Sequence, residues 1–193
     1  MKGSHSFKSL FTSNTRLKLI SLLFSNPSEL YYVRQLVRLA DEEINSVRRE
    51  LGNLKSSSIV LSENRANRLY YWANPDHFLF YQLTVLANQN SGLGEQILDN
   101  RHKIGNIKLL LFNHLFLNHR ENNGIDLIVV GDASLKVIDE LVKVEEKKRD
   151  REINYMVMDK NEFKLRKVKR DPILVDFFLT CPAVIIGNPV ELI

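Results

Sequence analysis

The sequence predicts an α+β fold, in which a helical domain with a β-hairpin precedes a small domain of mixed α/β structure. Two observations lead to this fold class. Three helix-like patterns and two β-prone runs fill residues 1–76, whereas strands alternate with helices over 94–193. Residues 77–93 are expected to form a connecting helix and a linker. A chain of 193 residues with 44% hydrophobic content is long enough to bury a core in each domain.

The first domain begins with three helical patterns. Residues 14–24 place apolar side chains on one helical face, and Asn14 is available as the N-cap. Residues 31–40 form a second, shorter pattern that faces the same core. Asp41 is positioned to cap a third helix over 41–57, whose apolar residues recur at helical spacing. This third helix therefore has one apolar and one polar face.

A hairpin is expected after the third helix. The β-prone runs 59–62 and 69–74 are joined by the charged, arginine-bearing segment ENRANR. Asn74-Pro75 ends the hairpin, because proline cannot donate to the hydrogen-bond ladder of a sheet. A bulky apolar helix over 77–89 follows, and the break SGLG comes after it.

The second domain alternates between strands and helices, which predicts a mixed sheet covered by helices. A helix over 160–179 is expected to be interrupted at Asp171-Pro172, because proline disrupts a helix interior. The predicted strands are 108–112, 125–130, 152–158 and 183–187, and the other predicted helices are 95–105 and 133–150.

The distribution of charged residues indicates what kind of partner the first domain could bind. The first 76 residues contain 11 Lys and Arg but only 7 Asp and Glu, whereas the remainder contains 16 of each. All the excess positive charge therefore lies in the first domain. Such an excess is typical of a domain that binds a polyanion, although basic faces also occur on proteins that bind none.

Composition favours a cytoplasmic globular protein. No stretch approaches the roughly 20 apolar residues of a membrane helix, and the first residues lack the apolar core of a secretory signal. The single cysteine, Cys181, excludes an internal disulfide and a thiolate metal cluster, and we expect it to be a small core residue. No membrane partner is expected.

The polar face of the third helix carries the side chains that a DNA reader needs. Asn45, Arg48 and Arg49 lie together at spacings of three and four, and such side chains make bidentate contacts to base edges in the major groove. A solvated helix face is the simpler alternative, and Glu42 and Glu43 nearby would repel phosphates. The candidate DNA-binding residues are Asn45, Ser46, Arg48, Arg49, Asn53, Arg65, Arg68, Arg34 and Arg38.

The order of helices and hairpin over residues 7–76 resembles the winged helix-turn-helix of transcription regulators. The chain from Ile107 onward is similar to minimal nucleotidyltransferases, which prokaryotes often fuse to a winged helix. The run VRREL at 47–51, the wing at 64–68 and the linker Asn74-Pro75 carry the resemblance to such fused proteins.

The nucleotidyltransferase resemblance implies a Gly-Ser turn that holds phosphates and three acids that hold magnesium. This chain departs from that pattern, since Asn113 and His114 stand at the turn and Gly124 replaces one acid of the expected pair. Asn154 stands at the third acidic position, so only Asp126 remains. Magnesium is held weakly by a single carboxylate. We therefore expect a vestigial site with no metal, no cofactor and no catalytic residue, in which Asp126 caps backbone amides at a strand end.

These features predict a DNA-binding transcription regulator that binds double-stranded DNA as a homodimer. The degenerate second domain would serve dimerisation, protein partner binding or ligand sensing. One alternative is an active nucleotidyltransferase that modifies protein or RNA within a toxin–antitoxin pair, through a rearranged site around Asp126. The other is a protein–protein interaction module with affinity for neither DNA nor nucleotides.

Overall fold

The computed structural model describes residues 12–188 and has a mixed α/β fold with two sheets. The chain divides into two compact units, Met1–Ser91 and Gly92–Ile193. The first residues of the region that resembles a winged helix, 7–11, lie outside the described residues. The N-terminal residues considered as a possible secretory signal also lie outside them.

Three helices form the framework of the first unit: α1 (Asn14–Ser25), α2 (Val33–Ala40) and α3 (Ile44–Ser56). The expectation that Asn14 caps α1 was wrong. Ser13 has extended backbone angles, and its side chain accepts a hydrogen bond from the Arg16 backbone amide, which makes Ser13 the N-cap.

The start of the second helix also differs from the prediction. Tyr31 and Tyr32 form a short strand, β1 (Tyr31–Tyr32), and pair with Tyr71 and Tyr70. Aromatic side chains pack well in strands, and here the ladder partner outweighs the apolar periodicity that predicted a helix from 31. Helix α2 is therefore two residues shorter at its N-terminus than predicted.

Asp41 ends α2 and does not cap α3. Its backbone has a φ of 49°, in the left-handed region, and its amide donates to the Val37 carbonyl. This conformation is typical of the residue that follows a helix. Glu43 occupies the N-cap position of α3 but makes no side-chain capping bond.

The predicted hairpin is present, with a first strand two residues longer than expected and a second strand shifted by one residue. Strands β2 (Val60–Arg65) and β3 (Arg68–Ala73) pair antiparallel, and the sheet order is β1-β3-β2. The connecting turn has only two residues, Ala66 and Asn67. Ala66 adopts a φ of 51°, as tight hairpin turns require.

Helix α4 (Phe80–Gln89) is the helix expected after Asn74-Pro75, and it packs within the first unit. Its Phe80 ring lies 5.9 Å from the Phe24 ring of α1, and Ala87 is fully buried in the shared core. Other buried members of that core are Leu19, Leu23, Leu36, Val47, Leu51 and Val60.

The second unit contains a mixed four-stranded sheet. Its strands are β4 (Gly105–Phe112), β5 (Leu127–Ala133), β6 (Tyr155–Met158) and β7 (Ala183–Ile186), in the order β6-β5-β4-β7. Strand β4 is antiparallel to β5 and β7, and β5 is parallel to β6. The helices are α5 (Gly92–Asp99), α6 (Arg101–Ile104), α7 (His114–Leu117), α8 (Leu135–Arg149), α9 (Lys160–Val168) and α10 (Pro172–Leu179).

Both faces of this sheet are covered, as its apolar strands predict. Leu109 and Leu111 of β4 pack in one cluster with Phe163 of α9 and Phe177 of α10. Leu110 and Phe112 of β4 point to the other face and are also buried. The interruption between α9 and α10 falls at the expected position, where the Asp171 side chain accepts from the Ile173 amide.

Several expectations for the second unit need correction. The single helix predicted over 95–105 is divided into α5 and α6, and the strand predicted from residue 152 begins at Tyr155. Strand β5 begins at Leu127 rather than at the predicted residue 125, so both Gly124 and Asp126 precede the strand. Cys181 is exposed with a φ of 52° in the turn before β7, so it is not a core residue. Within residues 12–188, no helix has the length and apolar character that crossing a bilayer requires.

Candidate functional site

Helix α3 exposes the polar face that the sequence predicts. Asn45, Arg48, Arg49 and Asn53 are exposed, and Ser46 is half-buried at the margin of the same face. The opposite face is anchored in the core, so the exposed side chains have a fixed direction. The anchoring side chains are Val47, Leu51 and Leu54.

A buried carboxylate fixes α3 to α1. Glu50 is 4% exposed, and its Oε2 accepts from Arg16 Nε at 2.9 Å. Burial alone would raise the pKa of Glu50, but hydrogen bonds from Arg16, Ser13 and Asn53 outweigh it and hold the pKa below its usual value. The Asn53 amide lies 3.4 Å from the same oxygen, so this candidate DNA contact is engaged within the protein.

The acids near the start of α3 differ in their charge compensation. Glu42 accepts from Thr15 at 2.8 Å and Asn14 at 3.2 Å, and its carboxylate pairs with Lys18 Nζ at 2.8 Å. The hydrogen bond from Lys18, followed by that from Thr15, lowers the pKa of Glu42. Glu42 is thus neutralised within the fold, whereas Glu43 is exposed and has no ion pair among residues 12–188.

The two candidate arginines of the hairpin have different surroundings. Arg65 pairs with Glu63 at 2.7 Å, which reduces the charge that it offers to a partner. The Arg68 guanidinium lies 4.8 Å from the centre of the Tyr32 ring, as in a cation–π contact. Arg68 keeps its charge uncompensated by any carboxylate of the described chain.

Three of the candidate arginines meet at one groove of about 690 Å³. Arg34 comes from α2, Arg48 from α3 and Arg68 from β3, so three separate elements bring them together. Arg38 lies elsewhere, at a shallower cleft that also has acidic walls. The other residues that line the larger groove are Tyr32, Val33, Asn67, Leu69 and Tyr71.

The predicted vestigial site is centred on Asp126, which is fully buried. Its carboxylate accepts two hydrogen bonds from the Arg151 guanidinium, at 3.0 and 3.2 Å, and one from the Asn154 backbone amide at 3.0 Å. The Asn122 amide approaches to 3.4 Å. A guanidinium therefore lies against the carboxylate that would have to bind a metal, and these residues do not fit a magnesium ion.

The other vestigial positions have structural roles. Asn113 caps α7 through its side chain, which accepts from the Leu115 amide at 2.7 Å, and its backbone amide donates to the Asp126 carbonyl. Burial, and next the positive charge of Arg120, lower the pKa of His114. Gly124 is exposed in the turn before β5, where its amide donates to Asn122. Asn113, Asp126 and Asn154 thus meet mainly through backbone bonds.

Sequence reasoning missed the arginines near Asp126. Arg149 stacks 4.0 Å from the Phe116 ring centre and pairs with Glu145 at 2.9 Å, and Arg151 lies 5.5 Å from the same ring. The spacing of Glu145 and Arg149, four residues apart on a helix, was a usable signal. In the sequence, no feature identified Arg151 as the partner of Asp126.

Within the described part of the chain, no three His, Cys, Asp or Glu side chains come together as a metal-binding group. Comparisons with protein families, curated proteins and solved structures found no match for this chain.

Proposed function

We propose that the protein is a DNA-binding transcription regulator whose first unit is a winged helix-turn-helix. In this proposal α3 enters the major groove, and the β2–β3 hairpin is the wing. The observation that carries it is the exposed face of α3, where Asn45, Arg48 and Arg49 stand beside an arginine-lined groove. Bidentate arginine contacts to guanine and amide contacts to adenine are what such a face supplies.

The arginines on and near the exposed face of α3 support DNA binding more than they support a face that only contacts solvent. Arg34, Arg48 and Arg68 form no ion pair within residues 12–188. Glu42, which would repel phosphates, is neutralised by Lys18. Cations without an acidic partner in the protein keep their full charge for phosphate oxygens, which accept a large share of protein–DNA hydrogen bonds. Arg49 differs from these three, since its Nε lies 3.9 Å from Glu50 Oε1.

The second unit is, in this proposal, a nucleotidyltransferase-like domain without catalytic activity that pairs two protomers. The bidentate Arg151–Asp126 contact supports the loss of activity, because displacing the guanidinium would leave a buried charge unpaired. A dimer would read two half-sites about one helical turn apart.

The test is to select duplexes from a randomised library with the full chain and to measure their affinity by fluorescence anisotropy. Replacing Arg48 and Arg49 together by alanine should weaken binding at least about tenfold, because each specific contact contributes about 1–3 kcal/mol. The matched control is Lys136→Ala with Lys147→Ala, which removes the same charge from exposed positions of α8.

The control pair should change the affinity less than about twofold. Failure of the wild-type chain to retain any duplex would overturn the proposal. An equal loss of DNA affinity in the two double variants would overturn it as well, because net charge alone would then explain the loss. Fluorescence of the single tryptophan, Trp72 in β3, verifies that the first unit of each variant is folded.

A further inference from the structure

The groove lined by Arg34, Arg48 and Arg68 has properties that duplex recognition alone does not require. None of the described residues that line it is acidic, and its volume is about 690 Å³. Small-molecule sites have volumes of roughly 300–1,000 Å³ and combine apolar walls with a few converging polar groups. The volume of this groove lies in that range, but its lining is more polar, with three arginines and Asn67 beside the apolar and aromatic side chains. All of these lining residues belong to the first unit.

One wall of the groove is aromatic. The Arg68 guanidinium lies 4.8 Å from the centre of the Tyr32 ring and occupies one face of that ring, and Tyr71 is largely buried in the core. The flat surface that the groove offers to a ligand is therefore the exposed Arg68 guanidinium on Tyr32. Asn67, at the hairpin turn, places a side-chain amide at the rim, where it can both donate and accept hydrogen bonds. Flat aromatic ligands stack on tyrosine and arginine, and amides pair with the edges of bases.

We propose that this groove binds a free nucleoside monophosphate, which competes with duplex DNA for Arg48. The phosphate meets the guanidinium groups of Arg34 and Arg48, which form strong charge-assisted hydrogen bonds with such dianions. The base lies against Tyr32 and Arg68, within reach of Asn67. The competition rests on the proposed function, whereas nucleotide binding itself does not.

A free nucleotide suits the groove better than a duplex does. The outer surface of a duplex presents phosphates while its bases stay stacked inside, so the aromatic wall would remain uncovered. A mononucleotide presents a phosphate and a bare ring face together, and it covers both walls. Arg48 lies on both the groove and the outward face of α3, so one guanidinium serves either ligand but not both.

Titration calorimetry of the full chain without DNA or magnesium tests the binding step. The probes are AMP, GMP, CMP and UMP, with the matching nucleosides and inorganic phosphate as the separate halves of each ligand. At least one nucleotide should bind about tenfold tighter than its nucleoside or inorganic phosphate, because the arginines and the aromatic wall then bind one molecule together. Arg34→Ala and Arg68→Ala should each weaken it by about tenfold.

Lys55→Ala is the matched control, since it removes a positive charge from an exposed position of α3 outside the groove. Its affinity for the nucleotide should stay within about twofold of wild type. Absence of binding by all four nucleotides would overturn the proposal. Phosphate binding as tight as nucleotide binding would also overturn it, because the aromatic wall would then contribute nothing.

Anisotropy with a retained duplex tests the competition. The effective nucleotide should raise the apparent Kd for DNA in proportion to its occupancy of the groove, and in Arg68→Ala the same effect should require about tenfold more nucleotide. A nucleotide that binds without displacing DNA would show that competition is wrong. If the wild-type chain retains no duplex, the proposed function fails, while calorimetry still decides whether the groove binds nucleotides.

Discussion

Glu50 and Asp126 are buried carboxylates, and each is paired with an arginine that lies far away in the sequence. The Arg16–Glu50 hydrogen bond spans 34 positions, and the Arg151–Asp126 bonds span 25. Removing one member of a buried pair leaves the other charge uncompensated, which costs more than the pair contributes. Both pairs therefore lead to predictions about stability.

Glu50 should make the stability of the first unit depend on pH. Its pKa is lower in the folded chain than in the unfolded chain, so its contribution is present above the unfolded pKa and is lost as pH falls through the folded value. Glu50→Gln should reduce the free energy of unfolding at pH 7 by about 1–3 kcal/mol. Urea titrations followed by Trp72 fluorescence measure this loss.

In Glu50→Gln, the decline in stability on acidification below about pH 4.5 should also be smaller than in wild type. Glu140→Gln, at an exposed position of α8, is the control and should leave both quantities unchanged. Parallel pH profiles for wild type and Glu50→Gln would show that Arg16 does not stabilise the Glu50 carboxylate.

Asp126→Asn should destabilise the second unit. It should not remove any enzymatic activity, because we expect none. The substitution leaves Arg151 without its carboxylate, and breaking such a buried pair costs about 3–5 kcal/mol. Because the Arg151 side chain is 23% exposed, water can replace part of the lost contact, so we expect the lower end of this range. Amide hydrogen exchange in β5 and β6 measures the change.

A double-mutant cycle with Arg151→Gln should show coupling between the two sites. Additive effects of the two substitutions would exclude the ion pair as the cause. A magnesium-dependent transfer of nucleotide that Asp126→Asn eliminates would instead support the enzymatic alternative.

At the scale of elements, α3 combines an anchored face with a face for recognition. Gly52 lies on its exposed side, and a Cβ added there would meet no atom within 4 Å. A helical glycine that is not required for packing reduces helix stability. This glycine therefore weakens α3 without any benefit to the core.

Gly52→Ala should stabilise the first unit by about 0.5–1 kcal/mol, because alanine loses less backbone entropy in a helix. Urea titrations followed by Trp72 fluorescence should show the higher midpoint. Gly131→Ala in the second unit provides the contrast and should destabilise that unit, since Gly131 has a φ of 146° and the new Cβ would clash with the Asn106 carbonyl oxygen. A loss of stability in Gly52→Ala would mean that α3 needs the flexibility of glycine.

At the scale of the whole molecule, the excess charge of the first unit should govern the salt dependence of DNA binding. If about four cations of each protomer meet phosphates, the dimer makes about eight such contacts, and log affinity should fall against log salt with a slope of roughly −7.2, or −0.9 per contact. Anisotropy over a range of potassium chloride concentrations measures this slope. Arg34→Ala should make the slope shallower by about 1.8, because each protomer of the dimer loses one contact.

A flat salt dependence would contradict phosphate recognition, because ion release on binding is its necessary consequence. An unchanged slope in Arg34→Ala would show that this arginine does not meet a phosphate. Neither result would exclude nucleotide binding in the groove, which is measured without DNA.

The sequence alone determined the elements whose pattern is local. Side-chain periodicity identified α3 and its two faces, and Asp171-Pro172 marked the break between α9 and α10. These features were predictable because a helix or strand repeats over neighbouring residues. The sequence also showed, by comparison with the pattern that the resemblance implies, that only Asp126 remains of three expected acids.

Only the tertiary structure decided which distant residues meet. It assigned Tyr31 to a strand, paired Arg151 with Asp126, and brought Arg34, Arg48 and Arg68 to one groove. Such contacts depend on the packing of elements that are far apart in the chain, and no local pattern encodes them. A local preference yields where a distant partner offers a stronger interaction, as the β1–β3 pairing does for the start of α2.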